Sequence, residues 1–113
     1  MKFEQLAQQS CARVLVDSRH DILRAYAGDR VSDLLTHADD GTLLVSNLPG
    51  EQLLRLAELM DLPGLCVVDG QALDAGIIAA AAAHGTGLMV SSVGMFETCG
   101  RLFECLQRVR SGS

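Results

Sequence analysis

Residues 42–90 read TLLVSNLPGEQLLRLAELMDLPGLCVVDGQALDAGIIAAAAAHGTGLMV. Three short apolar runs recur in it, TLLV at 42–45, LCVV at 65–68 and GLMV at 87–90, with starts 23 and 22 residues apart. The intervals hold EQLLRLAELM and DAGIIAAAAAH, each long enough for a helix of about 10–12 residues. Strands that are apolar throughout, rather than at alternate positions, are expected where helices cover both faces of a parallel sheet. Strand, polar turn and helix in repetition therefore predict an α/β fold.

The helix ends have local causes. Pro49 suits a first helical turn, because its missing N–H would be unpaired there in any case. Asp74 is the expected N-cap of the alanine-rich helix, and Gly85, after His84, its left-handed stop. In the last helix Met95, Phe96, Cys99, Leu102, Phe103, Leu106 and Val109 read as one apolar face. Glu97, Arg101, Glu104 and Arg108 read as the polar one. Before Thr42 the pattern is less regular. MKFEQLAQQS reads as a helix, ARVLV and ILRAYAG as strands on either side of the SRHD turn, and VSDLLTHA as a short helix stopped by DDG. RSGS at 110–113 reads as a frayed tail. The whole chain, 1–113, is expected to form one domain with a mostly parallel sheet of about five strands flanked by about five helices.

Charge narrows the partners. The net charge is -5 and Lys2 is the sole lysine, so no basic patch is expected to meet nucleic acid or an anionic membrane. The segment Ala75 to Phe96 carries no charged residue over 22 positions, yet His84, Gly85, Thr86, Gly87, Ser91, Ser92 and Gly94 interrupt it. A buried helix followed by a buried strand is the expectation, not a membrane span. The opening MKFEQLAQQS lacks the apolar core and small-residue cleavage site of a secretory signal. Cys11, Cys66, Cys99 and Cys105 form no C-x-x-C pair. They read as reduced thiols of a cytoplasmic protein, mostly packed in the core.

Much catalytic chemistry is missing. No lysine follows a glycine, which excludes a P-loop, and G-x-G-x-x-G is absent. The nearest approach, GTGLMVSSVG at 85–94, leads into a strand instead of out of one. Cys99 and Cys105 are six apart, about 120° around a helix, and cannot share a metal. His37 with Asp39 and Asp40 could form a weak cation cluster, but D-D-G is also an ordinary turn. Cys99 with His84 could form a nucleophile pair; its place on the apolar face favours packing instead. No metal, cofactor or catalytic residue is expected.

One constellation remains. In an open parallel sheet, ligands bind outside the carboxyl ends of the strands, where helix N-termini point free N–H groups. Those ends hold Ser46 and Asn47, then Asp69 and Gly70, then Ser91, Ser92 and Gly94. Asp29, Ser32 and Asp33 are positioned to join them from the N-terminal half. Loops at strand ends are also polar simply because they are solvated. Separately, Leu59 lies opposite the face formed by Leu53, Leu54, Leu56, Ala57 and Met60. An apolar residue on a polar face marks a candidate interface, and a homodimer is the expected assembly.

GDRVSDLLTHADDGTLLVSN and the later LPGLCVVDGQALDAGIIAAAAAHGTGLMVSSVGMFETCGRLFE resemble the DRTGG domain family. The resemblance is to its short stand-alone members, often labelled HPr serine kinase-like. It rests on V-S-D-L-L before G-T-L-L-V, on P-G-L-C-V-V-D-G, and on S-x-x-x-F-E-x-x-G-R-L, and it covers about residues 28–106. It implies an α/β fold similar to the N-terminal domain of HPr kinase/phosphorylase, usually dimeric and regulatory. Related domains occur in phosphotransacetylases and, between CBS modules, in some inorganic pyrophosphatases. Stand-alone members often accompany genes for iron-only hydrogenases and sensor kinases, an association with energy metabolism and not a mechanism. Kinase activity in that family belongs to a separate P-loop domain, which this chain lacks. The D-R-T-G-G signature should follow TLLV, where Ser46-Asn47-Leu48-Pro49-Gly50-Glu51 stands instead; Asp29-Arg30 is a chance echo upstream.

Two readings follow. The first is a non-catalytic regulatory or protein-interaction domain, homodimeric, with Leu59 at an interface. The second is a small-ligand sensor that holds a nucleotide or anion at Asn47, Asp69, Gly70, Ser91, Ser92 and Gly94.

Overall fold

Ten elements follow one another along the chain: α1 (Phe3–Gln9), β1 (Arg13–Val16), β2 (Arg24–Ala27), α2 (Val31–His37), β3 (Thr42–Ser46), α3 (Gly50–Met60), β4 (Gly64–Val67), α4 (Ala75–His84), β5 (Gly87–Val90) and α5 (Met95–Arg110). The computed structural model describes residues 1–110, with side chains to Arg108. The five strands form one sheet in the order β1-β5-β4-β3-β2. β2 to β5 run parallel, and β1 is antiparallel to β5 at one edge. β1 and β2 are therefore consecutive in the chain and at opposite ends of the sheet. The connection between them is held by the amino terminus: Met1 N donates to Ile22 O at 3.0 Å and Ile22 N to Met1 O at 2.7 Å.

Side chains alternate across the sheet, so each central strand feeds two cores. Leu43, Val45, Cys66, Val68 and Met89 meet α1 and α5 through Phe3, Leu6, Leu102 and Cys105. Leu44, Leu65, Val67, Leu88 and Val90 meet α2, α3 and α4 through Leu34, Leu53, Leu54, Leu56 and Ala81. β3, β4 and β5 are buried at every position, whereas the edge strands β1 and β2 are only half-buried. That difference explains why the central strands are apolar runs. Each buried leucine contributes about 1.5–3 kcal/mol, so packing of these two cores outweighs helix propensity in holding the layers. α4 shows the balance from the other side: Ala81 alone is fully buried in it, and alanine's favourable helix propensity supports the rest.

Phe3 fixes how closely α1 approaches the sheet. A Cβ at Gly64 would stand 2.5 Å from Phe3 Cε1, and one at Gly87 2.7 Å from it. The glycines that open β4 and β5 make a slot for this ring.

The α/β architecture, element order and mostly parallel sheet agree with the sequence expectations. Asp74 caps α4, accepting from Ile77 N at 2.9 Å, and Gly85 ends it at φ +81°. Pro49 is the N-cap of α3 rather than inside its first turn. ILRAYAG is shorter as a strand than expected: Ile22 is buried against α1 and Leu23 is exposed outside β2. The apolar face of α5 also differs. Leu102 and Cys105 are buried, but Phe96 is 95% and Phe103 68% exposed. Both phenylalanines lie on the flank of the stripe and are turned largely to solvent, so helical spacing overstated the buried face. Cys99, expected at the centre of that face, is half-buried at its margin. The helix continues through Arg110, the first residue of the expected tail; the Val109 side chain and residues 111–113 lie outside the described residues.

Candidate functional site

The register sets the carboxyl ends of the parallel strands level. Ser46 pairs with Val67, Val67 with Val90, and Ala27 with Val45. The loops that leave them, starting at Gly28, Asn47, Val68 and Ser91, therefore share one rim with the first turns of α2, α3, α4 and α5. Asp29 and Ser32 are exposed on this rim and Asp33 is half-buried there. Asn47, Asp69, Gly70 and Ser92 are exposed, Gly94 is half-buried, and Ser91 is buried.

The rim is laced by its own hydrogen bonds. Asp69 N donates to Val93 O and Gly70 N to Ser91 O, both at 2.8 Å, joining the β4–α4 loop to the β5–α5 loop. Asp69 and Gly70 adopt left-handed backbone, φ +59° and +61°, which aims these two successive N–H groups at the neighbouring loop. Gln71 ties the third loop in: its Oε1 accepts from Gly50 N at 2.8 Å and its Nε2 donates to Leu48 O at 3.1 Å. Ser46 Oγ accepts from Leu48 N at 3.1 Å. Ser91 and Thr98 share a hydroxyl hydrogen bond of 2.7 Å inside the protein. Ser91 is thus part of the support beneath the rim, and Ser92 is the serine that faces solvent.

Its electrostatics are largely acidic. Asp29, Asp33, Glu51, Asp69, Asp74 and Glu97 lie in these loops and first turns, against Arg13 and Arg30. Asp69 Oδ1 would stand 3.4 Å from a Cβ at Gly94, beside the start of α5. The chain's own carboxylates therefore face the partial positive charge of the helix N-termini. Arg13 escaped the sequence reading. It comes to this edge because β1 is antiparallel, placing Arg13 opposite Val90, and strand direction leaves no local signal in four residues.

Other candidate groups separate. His37 lies against Tyr26, ring centroids 4.9 Å apart, and His84 Nδ1 lies 3.0 Å from Thr86 Oγ1. Among the described residues no three His, Cys, Asp or Glu side chains gather as they would around a metal ion. Burial pushes the Cys66 thiol up to about 12, with the Cys99 sulfur adding to the effect; burial also raises Cys99. Neither is poised as a thiolate nucleophile. No helix among the described residues is long and apolar enough to cross a membrane.

Apolar side chains project from both helical layers. Leu59 is 78% exposed and Leu35 44%, and with Val31 and Leu56 they line a shallow groove between α2 and α3. On the opposite layer, a hollow of about 310 Å³ lies between α5 and β2, floored by Ala25, Ala27, Val45 and Leu102 and walled by Phe103 and Leu106.

No family model matches the chain, and no curated protein matches it in sequence. Among solved structures, it is similar to the CBS and DRTGG domains of the regulatory region of Clostridium perfringens pyrophosphatase, determined in complex with the activator diadenosine tetraphosphate. The TM-score is 0.70 at 11% identity, over 89% of this chain and 45% of that one. The chain thus spans less than half the length of that neighbour, and the likeness supports a DRTGG-like α/β fold.

Proposed function

We propose that the chain is a non-catalytic regulatory or protein-interaction domain of the cytoplasm that works as a homodimer. The observation that carries this reading is the exposure of large apolar side chains on both helical layers, Leu35 and Leu59 on one and Phe96 and Phe103 on the other. Clustered exposed apolar surface is characteristic of interaction sites. On this reading Leu59 belongs to an interface, and residues 1–113 act as one DRTGG-like unit. The fold neighbour's regulatory role and the resemblance of VSDLL…GTLLV to that family support it. Association with hydrogenase or energy metabolism is the setting the resemblance favours. The test is light scattering across micromolar concentrations: a mass of twice 12.0 kDa is expected, and a monomer throughout would refute the homodimer.

The second reading, a nucleotide or anion sensor at the carboxyl edge, draws on the neighbour's complex with a nucleotide activator. Exposed Asn47, Asp69, Gly70 and Ser92 would form such a site with Gly94, over Ser91. The acidic rim and its internal hydrogen bonds weigh toward the first reading, because a phosphate would meet carboxylates already seated at the helix starts.

A further inference from the structure

We propose that a second copy of this chain docks on the outer face of α5, with the two α5 helices antiparallel and each Phe96 packed against the C-terminal end of the partner's hollow. The inference rests on the homodimeric reading above and adds the surface and the orientation.

Phe96, Gly100, Phe103 and Gln107 are spaced 4, 3 and 4 residues apart, the alternation by which one helix meets another along a seam. All four are exposed. At the middle of the seam, a Cβ added to Gly100 would meet nothing within 4 Å. A partner side chain can therefore reach the helix backbone there. The same face carries a projecting ring and a receptacle. Phe96 is 95% exposed, and the hollow beside Phe103 and Leu106 measures about 310 Å³, where a cavity of about 150 Å³ already accepts a benzene. A surface bearing both knob and hole is self-complementary under a two-fold axis, and an isologous contact requires that.

Charge selects the orientation. Glu97, Arg101, Glu104 and Arg108 follow one another along the flank of the seam. A two-fold axis between residues 102 and 103 sets Glu97 opposite the partner's Arg108 and Arg101 opposite the partner's Glu104. A parallel pair in register sets each charge against itself. Glu97 and Arg101 already pair within the helix at 2.6 Å, so docking extends that pair into a network across the seam. In the antiparallel arrangement Phe96 falls opposite residue 109, one step past Leu106 and Gln107, which close the C-terminal end of the hollow.

The test is the dimer dissociation constant of the full chain by analytical ultracentrifugation, for wild type, Phe96→Glu, Phe103→Glu and Leu59→Glu. Phe96→Glu lies in the first turn of α5, where a carboxylate is compatible with the helix dipole, so the variant folds. Circular dichroism checks this. The expected result is a dimer weakened at least about thirty-fold by Phe96→Glu and by Phe103→Glu, and within about threefold of wild type for Leu59→Glu. Glu97→Arg and Arg108→Glu each weaken it, and the double variant restores it. A wild-type dimer that Phe96→Glu leaves intact overturns this surface while self-association stands. A wild-type monomer overturns both. Phenylalanine variants that dissociate without charge-swap rescue overturn the antiparallel orientation.

Discussion

Ser91 Oγ lies 2.7 Å from Thr98 Oγ1, and the pair is buried where β5 gives way to α5. Thr98 Oγ1 also donates to Val93 O at 3.4 Å, so the turn between strand and helix is held from beneath. A serine that looked like a ligand group at a strand end is a structural tie.

This pairing predicts a double-mutant cycle. Ser91→Ala leaves a buried threonine hydroxyl without its best partner and costs about 1–3 kcal/mol in urea denaturation. Thr98→Val leaves the serine in the same position. The double variant costs less than the sum of the two, because removing both partners abolishes the unsatisfied group. Strict additivity would mean the two hydroxyls do not depend on each other.

A second prediction concerns the slot under Phe3. Gly64→Ala places a methyl group against the ring and destabilises the protein by about 1–3 kcal/mol. In a Phe3→Ala background, itself costing about 3–5 kcal/mol, the same glycine substitution loses most of its effect. An unchanged cost in that background would show that the ring is not what the added methyl meets.

The cysteines predict a reactivity order and a pH dependence. With a thiol reagent at pH 8, exposed Cys11 reacts first and half-buried Cys99 more slowly, while Cys66 and Cys105 react only in denaturant. Burial holds the folded Cys66 thiol at about 12, above the unfolded value of 9.0. Between these values the unfolded state releases a proton that the folded state retains. This contribution is fully present below pH 9.0 and is lost progressively toward about 12. Cys66→Ala flattens that part of the alkaline stability curve. The cysteine's share is up to about tenfold in the folding constant per pH unit. An identical alkaline limb in the variant would assign the loss to other groups.

The carboxyl edge predicts a negative result. Adenine and guanine nucleotides and phosphorylated metabolites leave the melting temperature unchanged, as expected for an acidic rim whose Asp69 and Gly70 N–H groups already bond the neighbouring loop. If one of them raises it, Asn47→Trp and Ser92→Trp test the location, since both side chains are exposed and neither supports the fold. A shift abolished by both substitutions would replace the interaction reading with the sensor.

Much of the architecture was legible in local pattern. TLLV, LCVV and GLMV are almost wholly apolar because helices cover both faces of β3, β4 and β5, which are buried at every position. Asp74 and Gly85 marked the two ends of α4 because capping is a short-range matter of one side chain and one backbone angle. The rim residues were also named correctly as neighbours of strand ends. Their roles were not legible: whether Ser91 or Ser92 faces solvent depends on the path of the chain into α5.

Short-range residue pattern set the strand–helix alternation, the buried central strands, the two ends of α4, and the lack of P-loop and dinucleotide-binding spacing. Each of these follows from residue type at short separation, where propensity, periodicity and steric limits act. Tertiary structure decided that β1 lies antiparallel beside β5, which brings Arg13 to the rim. It also decided which part of the α5 stripe packs on the sheet, leaving Phe96 and Phe103 exposed. Helical periodicity states which side chains share a face; only the width of what packs against the helix determines how much of that face is buried, and here the uncovered part is the surface proposed to meet a second copy.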